Sequence, residues 1–276
     1  MDKETLRKVQ LAQLEIAKEF KRICDENQLQ YFMDSGTLLG AVRHKGFIPW
    51  DDDMDFGMMR DQYEKFLSVA PDILGEKFFI QTWSSDENYP YAFCKIRKKD
   101  TVYRESVSQK SKMHHELYID IFPYDVYPEE SKEQRSQGKK IMLYKNSMMM
   151  KSALTPWLRH NSPIRRILVW MKWLPYRIYA AFNARQRILK KYDLIMRKYN
   201  HTDSAFVYEQ TGGTPYGKWV LDRVCFHKYI SLPFEDTEFL APGDYKLYLQ
   251  TIYGDYMKLP PKEQRGNWHK ILEVKL

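Results

Sequence analysis

Covalent staples are scarce in this 276-residue chain: its three cysteines, Cys24, Cys94 and Cys225, are widely spaced and form no C-x-x-C pair. That excludes a disulfide framework and a cysteine-based zinc site, and it suits reduced thiols in a reducing compartment. Glycine and proline are also few, at 12 and 13 residues, which excludes collagen-like and low-complexity chains. Nowhere do about 18 apolar residues follow one another, so no membrane-spanning helix is predicted. The opening Met1-Asp2-Lys3-Glu4-Thr5 has no basic region leading into an apolar run. No secretory signal is expected, and the expected location is cytoplasmic, with peripheral contact at the inner face of the membrane as an option. A Walker loop and a G-x-G-x-x-G fingerprint are both missing, which argues against the commonest nucleotide-binding loops.

What is present is a foldable globular composition, 43% hydrophobic and 15% aromatic, enough to bury a sizeable core. The formal net charge of +8 is unevenly spread. Between Lys139 and Lys198 there are 15 Lys/Arg and a single acid, Asp193, leaving 29 bases and 35 acids elsewhere. A slightly acidic body therefore carries one strongly basic segment, and any argument about an anionic partner concerns that segment alone.

Hydrophobic periodicity predicts an amphipathic helix from Leu6 through Val9, Ile16, Phe20 and Ile23, with Gln13 as one polar interruption and Asp25-Glu26-Asn27 as its end. A short β-like run at 30–33 follows, then a helix from Leu38 to Arg43 broken by Gly46 and Pro49, and a helix over 61–70. Strands are predicted at 78–83, 91–96 and 117–122, the last stopped by Pro123. After Glu129 the pattern becomes two long helices, roughly 130–155 and 160–199, and the final third holds short elements. The expected architecture is a mixed β-sheet flanked by helices, an α/β (α+β) fold. Its expected parts are a catalytic core over 1–128, a basic helical insertion over 129–200, and a segment over 201–276 that completes the core domain.

The chemistry concentrates in Pro49-Trp50-Asp51-Asp52-Asp53-Met54-Asp55. On an extended chain Asp51, Asp53 and Asp55 point one way and Asp52 the other. Three carboxylates on one face repel each other and call for a cation, and hard oxygen ligands select Mg²⁺ or Mn²⁺. Asp120, between Ile119 and Ile121 on a predicted strand, shares its face with Tyr118 and Phe122, where a lone acid is costly unless paired or metal-bound. Two strands presenting acids to one point match phosphoryl transfer. The competing reading is a solvated acidic loop with Asp120 capping a nearby backbone group. Upstream, the Gly36-Thr37 turn at a helix start offers backbone N–H groups to a phosphate, and Arg43, His44 and Lys45 offer positive charge. A purely structural turn is the alternative.

Together, Gly36-Thr37-Leu38-Leu39-Gly40-Ala41-Val42-Arg43 and Gly46-Phe47-Ile48-Pro49-Trp50-Asp51-Asp52-Asp53-Met54-Asp55 closely resemble the signature of the LicD family of phosphocholine and ribitol-phosphate transferases. Tyr118-Ile119-Asp120-Ile121-Phe122-Pro123, Tyr253-Gly254-Asp255-Tyr256-Met257 and Leu259-Pro260-Pro261 extend the likeness over about 27–265. The resemblance implies a nucleotidyltransferase-like fold. It also implies transfer of a phosphoalcohol from a CDP-activated donor to a hydroxyl of a glycan or lipid-linked glycan, with release of CMP. It assigns catalysis to Asp51, Asp53, Asp55 and Asp120, and metal binding to Asp53, Asp55 and Asp120, with Asp51 or Asp120 as the base. Thr37 departs from the Gly-Gly/Ser turn of the wider superfamily. Nucleotidyl transfer from an NTP and a non-catalytic membrane-associated module are the rival functions.

Further candidates stand beside the signature. Lys95 and Arg97 flank Ile96, so both face either phosphates or solvent at a sheet edge. His114-His115 reads as a surface pair, and His269 as a residue within possible reach of the site. Trp50, Tyr124, Tyr216 and Trp219 offer aromatic faces to a quaternary ammonium. Pro156 to Lys198 mixes Trp157, Trp170, Trp173, Tyr176 and Tyr179 with eleven Lys/Arg, a composition suited to an anionic membrane surface. A helix packed on the core with solvated cations is the equal alternative, and nucleic acid the less favoured partner.

Overall fold

The computed structural model describes residues 1–160, 162–213, 215–266 and 269–276. The first helix, α1 (Lys3–Glu26), is capped by Asp2, whose carboxylate accepts the Thr5 N–H, and its apolar stripe of Val9, Ile16, Phe20 and Ile23 is fully buried. It is followed by β1 (Phe32–Met33), α2 (Ser35–His44), β2 (Asp55–Met59), α3 (Arg60–Ile73), β3 (Phe78–Gln81), β4 (Cys94–Lys98), β5 (Val102–Glu105) and β6 (Tyr118–Val126). The basic insertion supplies α4 (Ser131–Lys151), α5 (Pro163–Lys172), α6 (Leu174–Phe182) and α7 (Arg185–Met196). The chain finishes with β7 (Phe206–Glu209), β8 (Leu221–Asp222), β9 (Tyr229–Phe234), β10 (Thr237–Pro242), α8 (Tyr245–Tyr253) and β11 (Ile271–Lys275).

The main sheet runs β1-β2-β6-β4-β3, with β7 also pairing β6 and β8 pairing β7. It is mixed, as expected: β2 and β6 are parallel, with Asp55 opposite Asp120, whereas β4 runs antiparallel to β6, with Lys95 opposite Asp120. These registers put Asp55, Asp120 and Lys95 in one row across three strands. A hairpin, β9–β10, and a two-stranded ladder, β5–β11, complete the β-structure of the described residues. One core joins both ends of the sequence, since Phe226, Phe234, Phe239 and Tyr248 pack with Phe20, Phe32 and Phe56. Burial on this scale stabilises the fold by about 1.5–3 kcal/mol per large apolar side chain.

Four expectations about elements need correction. Pro123 does not stop β6, which continues to Val126. Asp120 N–H donates to the Met54 carbonyl, so even-numbered N–H groups of β6 face β2. The missing N–H of Pro123 therefore falls on the other side, between the last β4 pairing at Ile121 and the first β7 pairing at Tyr124. The strand predicted at 91–96 begins only at Cys94, because Tyr91 and Phe93 stack on each other outside the ladder. The helix after β1 begins at Ser35 and not Leu38, so Gly36-Thr37 is its first turn. The second long basic helix is broken three ways, with Pro175 starting α6 and Asn183-Ala184 separating it from α7. All three cysteines are free and buried, and among the described residues no helix is long and apolar enough to cross a membrane.

Candidate active site

The acid segment lies at the N-terminal edge of β2, where the chain leaves a turn closed by the Asp51 N–H on the Ile48 carbonyl. Only Asp55 belongs to the strand, yet the expected alternation holds: Asp51, Asp53 and Asp55 line one large cavity of about 1010 Å³, and Asp52 turns away, buried. Two glutamines of α1 hold this turn. Gln10 Nε2 donates to the Asp51 carbonyl at 2.9 Å, and Gln13 Nε2 to the Asp52 carbonyl at 2.9 Å and the Tyr118 carbonyl at 3.3 Å. The polar break in the first helix is thus a clamp on the acid loop, a role its spacing alone does not reveal.

The first turn of α2 meets the acids directly. A Cβ on Gly36 would lie 2.9 Å from Asp51 Oδ2, so a larger residue there would displace the carboxylate that rests against the helix start. The Thr37 hydroxyl accepts the Asp55 N–H at 2.8 Å and fixes the strand entry. Asp34, just before the helix, leaves the helix uncapped and takes bonds from the Tyr124, Tyr248 and Ser35 hydroxyls. The positive helix end is therefore left to the cavity acids and whatever they bind.

Burial raises the Asp51 carboxyl well above its ordinary range, and the charge of Asp53 adds to this. Burial likewise raises Asp53, although His269 opposes the shift, and it raises Asp55 strongly with help from Asp53 and Asp120. Carboxyl oxygens of Asp51, Asp52 and Asp53 lie within 4.8 Å of one another. Asp52, however, is already committed. One oxygen meets His269 Nδ1 at 3.0 Å and the other accepts the Tyr103 hydroxyl. Asp51, Asp53 and Asp55 remain as the carboxylates facing the cavity, and of these Asp51 and Asp53 bring oxygens within 4.8 Å of each other, hard donors of the kind that suit Mg²⁺ or Mn²⁺.

Burial opposes a charge on His269, but its bond to Asp52 and the charges of Asp53 and Glu105 push its pKa up to about 10. It is also on the cavity wall, 4.0 Å from Asp53, brought there by the pairing of β11 with β5.

Three sequence candidates fall elsewhere. Lys95 faces neither solvent nor cavity: β4 is an internal strand, and the ammonium binds Asp120 at 2.5 Å over the Tyr118 ring. Arg97, equally buried, is tied to Gln81 and the Glu116 carbonyl. Asp120, next to Asp55 in register, therefore has its charge answered from within the protein, behind the cavity acids. At the far end of α2, Arg43 reaches the cavity, held by the Tyr256 carbonyl at 3.2 Å and by His44, whose ring nitrogen accepts the Arg43 Nε–H at 3.0 Å. Burial and Arg43 lower the His44 pKa, and His44, which does not line the cavity, braces Arg43. Lys45 is exposed in a left-handed cap at φ 61° and lies off the cavity.

Other residues reach the site without a warning in the sequence. Lys218 and Lys258 add cations to the cavity wall, and Glu209 adds a half-buried carboxylate bound by Thr211 and Gly212 N–H groups. Of the aromatic candidates, Trp50, Tyr124 and Trp219 line the cavity, while Tyr216 packs against Gly138 and Tyr208 instead. The C-terminal motif forms the opposite wall through Tyr253, Asp255, Tyr256, Leu259, Pro260 and Pro261. His114 and His115 sit outside it, one of them against Glu116.

Residues 28–164, which carry the acid loop, α2 and β6, match the family model for the LicD/FKTN/FKRP nucleotidyltransferase domain. The whole chain is similar to the lipopolysaccharide cholinephosphotransferase LicD of Haemophilus influenzae, with 32% identity over 98% of this chain and 97% of that protein. Shorter likenesses connect it to uncharacterised proteins of Rickettsia typhi, 34% identical over 43% of this chain and 36% of the relative, and Rickettsia prowazekii, 32% identical over 43% and 41%. With identity sustained from end to end and the signature acids gathered at one cavity, this chain belongs to the LicD family.

Proposed function

We propose that this chain transfers a phosphocholine-like group from a CDP-activated alcohol to a hydroxyl of a lipopolysaccharide or related cell-surface glycan, releasing CMP. The observation that carries the reading is Asp51, Asp53 and Asp55 converging on one cavity at the start of α2 in a chain aligned end to end with a cholinephosphotransferase. Asp53 and Asp55 would hold Mg²⁺, or Mn²⁺ in its place, and the ion when bound supplies charge neutralisation at the diphosphate. Arg43, Lys218 and Lys258 steady the phosphate oxygens from the cavity walls.

The acceptor oxygen attacks the phosphorus bearing the alcohol. A new P–O bond forms to the glycan, the anhydride P–O bond breaks, and its oxygen leaves with CMP. The hydroxyl proton passes to a carboxylate, and Asp51 is favoured over Asp120 because it faces the cavity whereas Lys95 already claims Asp120. Asp120 then tunes its neighbour Asp55 through the shared register. Trp50, Trp219 and Tyr253 give the cavity faces suited to a quaternary ammonium.

Asp53→Asn should lower turnover of CDP-choline about a thousandfold or more while leaving the fold intact, since a metal contributes several kcal/mol of charge stabilisation and each 1.4 or so is tenfold. Wild-type turnover in that variant would sink the metal assignment. A thermal-shift panel with Mg²⁺ plus CDP-choline, CDP-ethanolamine, CDP-glycerol, CDP-ribitol, CTP and ATP should single out one CDP-alcohol. Release of pyrophosphate from CTP in place of CMP from a CDP-alcohol would replace this reading by nucleotidyl transfer.

A further inference from the structure

The basic insertion is anchored at both ends and lightly packed in the middle, where α6 rests on α4 through Tyr179 against Tyr144 and through the buried Ala180. Lys145 of α4 donates to the Gly212 carbonyl, and Ile141 packs with Tyr192, Ile195 and Met196 of α7. Arg185 holds the Trp83, Asp86 and Tyr89 carbonyls. Between these anchors α5 has no buried residue and α6 only Ala180. Both are nevertheless well-formed helices. Ser162 caps α5 by accepting the Arg165 N–H, Pro163 opens it, and the His160 carbonyl accepts the Arg166 Nε–H at 2.7 Å.

What they leave in solvent is not polar. Ile164, Ile167, Leu168 and Met171 recur at three- and four-residue steps on α5, and Ile164 and Ile167 are 71% and 61% exposed. Leu174, Ile178 and Phe182 continue at four-residue steps on α6, ending with Phe182 at 84% exposure. A stripe of this kind normally faces a core, and among the described residues nothing covers it. Arg165, Lys172 and Arg177 are exposed beside the stripe, and from residue 134 to 192 the chain contains no acid at all. Trp170 stacks on the Arg177 guanidinium at 5.0 Å, and Trp173 packs edge-on to Tyr176, aromatic pairs of the type that settle at a lipid headgroup layer.

We infer that α5 and α6 together dock this protein on an anionic phospholipid bilayer, the apolar stripe entering the headgroup–acyl boundary and the flanking Arg and Lys side chains meeting lipid phosphates. The charge complementarity selects this occupant: a second copy of the chain would bring an equally basic surface against the first, and nucleic acid offers nothing to cover Ile164, Ile167 and Phe182. The inference goes beyond the proposed reaction and is independent of it, because its readout is binding and not turnover.

The test is flotation of the full chain with phosphatidylcholine vesicles containing about 30% phosphatidylglycerol, against pure phosphatidylcholine vesicles, at low and high salt. The chain should float with the anionic vesicles, weaken on pure phosphatidylcholine and weaken again with salt. The triple variant Ile164→Ser/Ile167→Ser/Phe182→Ser should lose about tenfold or more in partitioning with an unchanged melting temperature, since these side chains are mostly exposed. Arg165→Glu/Arg177→Glu should abolish the preference for the anionic vesicles. Wild-type chain that stays unbound, or a triple variant that partitions like wild type, overturns the inference. So does light scattering that shows a wild-type dimer converted to monomer by the triple variant, which would give the face to a second copy.

Discussion

At the residue scale, Lys95 and Asp120 show how a buried pair sits behind an active site. Desolvation lowers the Lys95 pKa and raises that of Asp120, so burial outweighs attraction on both sides of the pair. Such a pair is weak as a source of stability, but its halves are costly to separate. Lys95→Met should therefore destabilise the protein by about 3–5 kcal/mol in chemical denaturation, because Asp120 is left without its cation. A loss below about 1 kcal/mol would mean that Asp120 is neutral or otherwise answered. The sequence exposed the need for a partner to Asp120, since a lone acid among Tyr118 and Phe122 required one. It did not supply the partner, because Lys95 and Asp120 are 25 residues apart and meet only through the β4–β6 register.

At the scale of elements, α1 is both a core helix and the clamp of the acid loop. Its period was readable from Leu6 to Ile23, and so was the polar break at Gln13. The purpose of the break was hidden, because the carbonyls it binds lie 39 and 105 residues along the chain. Gln13→Met keeps the helix and its volume but removes the donor from two buried carbonyls. It should cost about 1–3 kcal/mol in stability. On the proposed reaction, turnover of CDP-choline should fall by about tenfold to a hundredfold as the acids shift by a fraction of an ångström. Unchanged turnover in a folded variant would show that the loop keeps its shape without α1. Strand β6 teaches the complementary lesson. Proline was expected to end it, and it does not, because the missing N–H falls in a gap between two partners on one side.

For the whole molecule, the cavity is a property of no single stretch. Its walls include Asp34 and Gly36 near one end of the sequence and Pro261 and His269 near the other. The pairing of β11 with β5 seats His269 against Asp52 and closes the acid loop from behind, together with Tyr103. A chain ending at residue 265 should keep its central sheet, which β11 does not enter, yet lose about a hundredfold in turnover as the Asp52 anchor is released. Circular dichroism and steady-state kinetics on that truncation decide the matter, and turnover within about twofold of wild type would remove His269 from the site's support.

The sequence by itself determined the mixed α/β class, the core face of the first helix, the acid segment and its alternation, and the family signature. Those features depend on neighbours a few residues apart, where periodicity, turn chemistry and charge repulsion act directly. Tertiary structure alone decided which charges are free to act. Arg43 reached the cavity while Lys45, two residues on, was left in solvent beyond the helix cap. Lys95 and Asp120 neutralised each other, Asp52 was taken by Tyr103 and His269, and Lys218, Lys258 and Glu209 joined the site unannounced. The physical reason is that charge pairing and burial are settled by distance in space, and strand register and helix docking set that distance for residues far apart in the chain.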